Sequence, residues 1–177
     1  MFKKFYIITT PVILFLLQNS FLPAAPSFFQ HANIILVYCV LLLLISNVNF
    51  SLYNALLLGL LMDIYSPNLF GANIFSLLAA VFLSYIFFRQ FFTDKSVYTF
   101  IFLISIATIF FNIFYSAIVF VANFITVEFD FAEFFAKRFF LGIFYSIVLN
   151  NILTALAFYV VSYFSTRLKP FLIKINR

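Results

Sequence analysis

Asp63 is the first place to look for chemistry. It is the one acidic side chain within an apolar run of this sequence, and a charge inside a bilayer is costly enough to require a reason. Gly59 stands four residues earlier, on the same helical face. The turn Ser66-Pro67-Asn68 follows, and Gly71 and Asn73 open the next apolar run. Two roles are open to this constellation: to pin the turn between two helices, or to meet a partner or ligand. No Lys or Arg lies within a span to pair with the carboxylate. Its partners would be amides, hydroxyls, water or another subunit. The closeness of Pro67 places Asp63 near the outer interface rather than at mid-depth.

Other chemistry-bearing residues are isolated or arranged in rows. His31 and Cys39 each occur once, so no internal disulfide forms and no metal-ligand spacing exists. A small buried thiol is the expected state of Cys39. No nucleophile stands beside a base, and no phosphate-cradling Gly run or zinc-type pair is present. Neither catalysis nor a metal or cofactor is expected. Gln18 and Asn19 close the first apolar run, where they bond to neighbouring helices or reach interfacial water. Polar rows mark three further runs. Ser76, Ala80 and Ser84 form one, and Gly142, Ser146, Asn150 and Thr154 another. Ser105, Thr108, Asn112 and Ser116 form the third, with Asn123 three turns beyond Asn112. Small and hydrogen-bonding rows let helices approach and bond across an interface. They read as packing seams or as the lining of a polar cavity for a small solute.

The elements that position these residues follow from composition. Of 177 residues, 66% are hydrophobic and 8% charged, against roughly 25% charged in a soluble domain. A chain this short has too much surface to hide that apolar fraction in water. A soluble enzyme, a disordered chain and a disulfide scaffold are excluded. The 31 Phe fill lipid-facing positions that Leu could fill, whereas the three Gly mark special places. Continuous apolar runs rather than alternating ones indicate helices, not the strands of a barrel.

The expected fold is an all-α integral membrane protein, a six-transmembrane-helix bundle forming one polytopic domain over residues 1–177. The spans are placed at about 5–22, 32–46, 50–65, 69–88, 97–124 and 139–165, with the second and third short for a bilayer. Lys3 and Lys4 precede an apolar run that is read as an uncleaved first span rather than a signal peptide. If all six segments cross, Lys3, Lys4, Arg89, Lys95, Arg167, Lys169, Lys174 and Arg177 fall on one side. Only Lys137 and Arg138 fall on the other. Positive residues favour the cytoplasm, which places both termini there. The bases flank spans instead of forming a patch, so membrane lipid is the expected partner of the charge and nucleic acid is not. Val127 to Phe140 alternates apolar, acidic and basic residues and reads as an outer segment lying on the membrane.

The stretch Gly59-Leu60-Leu61-Met62-Asp63-Ile64-Tyr65-Ser66-Pro67-Asn68-Leu69-Phe70-Gly71-Ala72-Asn73 resembles the signature of the bacterial rod shape-determining protein MreD family. Arg89 to Ser96 is similar to that family's basic cytoplasmic loop, and Gln18 near the end of the first span also fits. The specific part covers residues 55 to 96, and the C-terminal half shares hydropathy alone. The resemblance implies a non-enzymatic subunit of the cell-elongation machinery in the bacterial cytoplasmic membrane. It implies association with an MreC-like membrane protein, and through it with an MreB-like filament and peptidoglycan synthases. It also implies a helical fold like that of the substrate-binding subunits of energy-coupling-factor transporters. Gly59, Asp63 and Gly71 match the family pattern without a catalytic role. The polar rows leave a second expectation, a small-solute-binding subunit of a transporter.

Overall fold

The computed structural model describes residues 10–67, 69–92, 97–126 and 137–164. Lys3 and Lys4, Asn68, the loop from Thr93 to Ser96, the acidic segment to Ala136 and the C-terminal basic residues lie outside the described residues, as does the side chain of Asn123.

Each apolar run is helical, and among the described residues there is no strand. The helices are α1 (Thr10–Ala24), α2 (Ile34–Ile45), α3 (Val48–Tyr65), α4 (Ala72–Phe91), α5 (Val97–Thr126) and α6 (Lys137–Phe164). Four of them, α3 to α6, are long and apolar enough to cross a membrane. Of the other two, α1 is described only from Thr10 onward, and α2 is shorter than the expected span. Residues 10–24 of the first run are helical, and 32–46 contracts to the 12 residues of α2. At 1.5 Å per residue α2 is about 18 Å long, well short of a hydrocarbon core of about 30 Å.

The physical reason for a short α2 is its position. It touches α3, α4, α5 and α6, and Ile35, Leu36, Val37, Cys39, Val40, Leu43 and Leu44 are all buried. A helix that is apolar all round and wrapped by other helices faces protein, not lipid, and has no need to match the bilayer. Asn33 caps its start, its side chain accepting from the Leu36 N–H, and Ser46 and Asn47 end it in a tight connection to α3. The helices of spanning length surround it. The contacts of α4 with α3 and α5 are the most extensive, followed by those of α5 with α6.

The polar rows lie inside this bundle. Ser76, Ala80 and Ser84 are wholly buried, and both hydroxyls bond back to carbonyls of their own helix, on Ala72 and Ala80. Their small size is what brings α4 close to its neighbours. Thr108 and Ser105 on α5 meet Asn150 and Asn151 on α6, with Asn150 Nδ2 donating to Thr108 Oγ1 at 3.0 Å and Asn151 Nδ2 to Ser105 Oγ at 2.9 Å. Thr154 is buried and bonds to the Asn150 carbonyl. Phe21, Phe75, Phe82, Phe91, Phe140 and Phe144 point outward.

Candidate functional site: a capped corner beside a polar cavity

The residues singled out around Asp63 form one corner. Gly71 takes φ +99°, a left-handed conformation that glycine adopts without strain, and so turns the chain into α4. The first four N–H groups of a helix have no partner within it; at α4 these belong to Gly71, Ala72, Asn73 and Ile74, and the last three are bonded. Ala72 N–H donates to the Leu69 carbonyl and Phe75 N–H to the Gly71 carbonyl. The two between them are taken by Asp63. Asn73 N–H donates to Oδ1 at 2.9 Å and Ile74 N–H to Oδ2 at 3.0 Å. Asn73 Nδ2 adds a third bond to Oδ1 at 3.0 Å.

A negative group at the positive end of the helix dipole is favourable, and more so when buried. Asp63 is 3% exposed. The carboxylate thus has its reason: it completes a buried helix start. Gly59 completes the geometry. A Cβ there would stand 2.7 Å from the Ile74 Cα and 3.1 Å from its N, so only glycine lets α3 approach the first turn of α4 this closely. Pro67 is exposed on the connecting turn. Gly59, Asp63, Gly71 and Asn73 are brought together as the sequence spacing implied.

A second buried helix start lies at the same end of the bundle, and sequence reasoning missed most of it. α1 widens into a π-helical turn over Leu17–Phe21, and Asn19 there bonds to the Phe15 carbonyl of its own helix. Gln18 reaches across: its Oε1 accepts from Ile34 N–H at 2.8 Å and its Nε2 donates to the Ala32 carbonyl at 3.2 Å. Asn150, from α6, accepts from Asn33 N–H at 2.8 Å. Three neutral amides, from α1, the α2 cap and α6, hold the start of α2.

Between these two starts is a cavity of about 230 Å³. Asn33, Asn73, Phe111, Asn112, Tyr115 and Ser146 line it, and it reaches exposed Gln30 and His31 at its rim. No Asp, Glu, Lys or Arg lines it. Asp63 does not line it; its carboxylate faces the first turn of α4 and touches the cavity only through Asn73. Gly142 sits outside this space against the His31 ring, where an added Cβ would make ordinary contact at 3.7 Å. The row from Gly142 to Thr154 therefore serves three purposes: Gly142 packs, Ser146 faces the cavity, and Asn150 and Thr154 bond within the bundle.

Among the described residues no group of three or more His, Cys, Asp or Glu converges on a metal-sized site. Asn33, Asn151 and Ser51, whose Oγ donates to the Cys39 carbonyl, are buried or half-buried polar residues absent from the expected rows. Their partners lie 12 or more positions away along the chain or, for the Asn33 cap, three. A signal for Asn33 was present: Asn just before an apolar run is a helix-start residue. Compared with known proteins, the chain matches no family model, no curated protein and no solved structure.

Proposed function

We propose that this chain is a non-enzymatic scaffold subunit of the MreD type. It would sit in the bacterial cytoplasmic membrane with both termini inside and act by holding an MreC-like membrane partner. The reading is carried by one observation. The residues that bear the family resemblance, Gly59, Asp63, Gly71 and Asn73, converge on a single corner in which the Ala72, Asn73 and Ile74 N–H groups of the α4 start are all bonded. Such a corner is rigid, and its flank presents Tyr65, Leu69 and Phe70 outward, each more than half exposed. Rigid presentation of an apolar flank suits a helix partner in lipid, where association depends on packing. The six-span arrangement and its orientation belong to this proposal, with α2 as the short member.

Co-purification with an MreC-like protein in mild detergent tests the proposal. Retention of the partner by the wild type and its loss on Asp63→Leu is the expected result, and no retention with both proteins folded in the membrane overturns it. A second reading, a solute-binding subunit of a transporter, draws on the uncharged polar cavity.

A further inference from the structure

The cavity contains polar atoms that the protein leaves unused, and hydrogen-bonding chemistry fixes which ones. The Asn73 amide gives its NH2 to Asp63, so its oxygen remains. Asn112 gives its NH2 to the Thr108 carbonyl, and again the oxygen remains. Asn33 uses its oxygen to accept from Leu36 N–H, so its NH2 remains. Ser146 is 6% exposed and its hydroxyl bonds to no described residue. Every fully enclosed side-chain N or O among the described residues has a partner, so these four groups are open to the space they line. Inside the rim residues Gln30 and His31, two acceptors, one donor and one hydroxyl that serves as either belong to the lining of a space of about 230 Å³, ample for several waters. Phe111 and Tyr115 supply apolar wall.

We propose that this cavity is a binding site for a small uncharged molecule that carries both hydrogen-bond donors and acceptors. The inference rests on the solute-binding reading for its purpose, and holding a ligand is separable from moving one. Charge is selected against because no Asp, Glu, Lys or Arg lines the walls and the His31 ring stands exposed at the rim, so an ion held inside without a counter-charge bears an uncompensated desolvation cost. A purely apolar guest is selected against because it would strand the four open groups without water. Packing alone does not account for the arrangement. A seam between helices closes its polar side chains on each other, as the Ser105 hydroxyl and the Asn151 amide do. Here the amides of Asn33, Asn73 and Asn112 are each anchored at one end and left open at the other.

The test uses the full chain in lipid nanodiscs and three probes built on one ring: benzamide, its isostere benzoate and the smaller, apolar toluene. Equilibrium binding of benzamide is expected to saturate, with benzoate and toluene weaker by about tenfold or more. Ser146→Leu fills the cavity from α6 and Asn112→Phe from α5, and each is expected to lower benzamide affinity by about tenfold or more. Asn112 is only half-buried and bonds only its own helix, so Asn112→Phe keeps the test valid if Ser146→Leu fails to fold. Non-saturating benzamide binding, equal binding of benzoate, or affinity unchanged in a folded Asn112→Phe protein overturns the inference. Benzamide bound but not carried into vesicles containing the chain supports the site and counts against the transporter reading alone.

Discussion

The starts of α4 and α2 solve the same problem by different means. Both are buried at one end of the bundle, where an orphan N–H group left unbonded is costly. At α4 a single carboxylate ten positions back in the chain takes two of the four groups and an amide besides. At α2 the groups are shared among neutral amides, one local and two from distant helices, with Asn150 lying 117 positions away from Asn33. The charged cap concentrates its bonds in one residue and needs only a helical hairpin to form. The neutral cap distributes them and exists only when α1, α2 and α6 have assembled. One is a local fixture of the chain, whereas the other registers the packing of the whole bundle.

The largest expected effect follows from that concentration. Asp63→Leu leaves two buried N–H groups and the Asn73 amide without partners, at about 1–3 kcal/mol for each unsatisfied group. A loss of about 3 kcal/mol or more is expected, read as a lowered thermal midpoint in mild detergent, with the protein still in the membrane fraction. Asp63→Asn keeps one acceptor oxygen and is expected to recover about half of the loss. Equal damage from both substitutions would show that charge, not acceptor number, holds the corner. An unchanged midpoint for Asp63→Leu would break the comparison at its stronger side.

Gly59→Ala tests the same corner by shape. Its Cβ would stand 2.7 Å from a backbone atom of Ile74, and backbone yields less readily than the end of a side chain. Overpacking of this kind costs about 1–3 kcal/mol. The displacement should also lengthen the bonds to Asp63, so hydrogen exchange at the Asn73 and Ile74 amides is expected to accelerate. Faster exchange with no change in midpoint would mean that the corner relaxes locally.

A smaller effect is expected at the neutral cap. Asn150→Leu removes the acceptor of Asn33 N–H and the donor to Thr108, at about 1–2 kcal/mol. Gln18 and Asn33 still hold the remaining groups, so the distributed cap degrades in part. A double-mutant cycle with Thr108→Val isolates the α5–α6 contact, for which about 0.6 kcal/mol is typical between membrane helices. A coupling as large as the whole Asp63→Leu effect would show that the network is cooperative, not shared out.

The same contrast explains what could be read in advance. The corner was legible because Gly59, Asp63, Pro67, Gly71 and Asn73 fall within 15 residues, and the geometry of a hairpin is local. Hydropathy located the α-helices among the described residues, with ends displaced by a few residues where they are described. It overstated the second run, because hydropathy does not separate an apolar helix facing lipid from one wrapped in protein. Asn150 was placed on a polar face, but nothing in a single row of residues specifies Asn33 as its partner. Asn151 was passed over because it lies one position off that row, although it is this offset that turns it toward Ser105. The cavity belongs to the same class. It is lined by residues from five helices and the segment that leads into α2, and only assembly brings their unused atoms together.

Glycine gives the smallest expected effect and the finest test. Gly59 and Gly142 each stand four residues before a polar residue, Asp63 and Ser146, and by spacing alone both are sites of close helix approach. In the structure they part. The nearest neighbours of a Cβ at Gly142 are the Cε1 and Nδ1 of His31 at 3.7 and 3.9 Å, ordinary contact with an exposed side chain that can move. Gly142→Ala is therefore expected to stay within about 0.5 kcal/mol of wild type. A slight gain is the expected sign, since alanine is the better helix former by about 1 kcal/mol. Measured beside Gly59→Ala in the same detergent, the pair separates a glycine required by backbone contact from one that only continues a pattern. Equal losses at both positions would mean that α6 approaches its neighbours as closely as α3 approaches α4, and that the distinction between the local corner and the distributed end of the bundle is drawn in the wrong place.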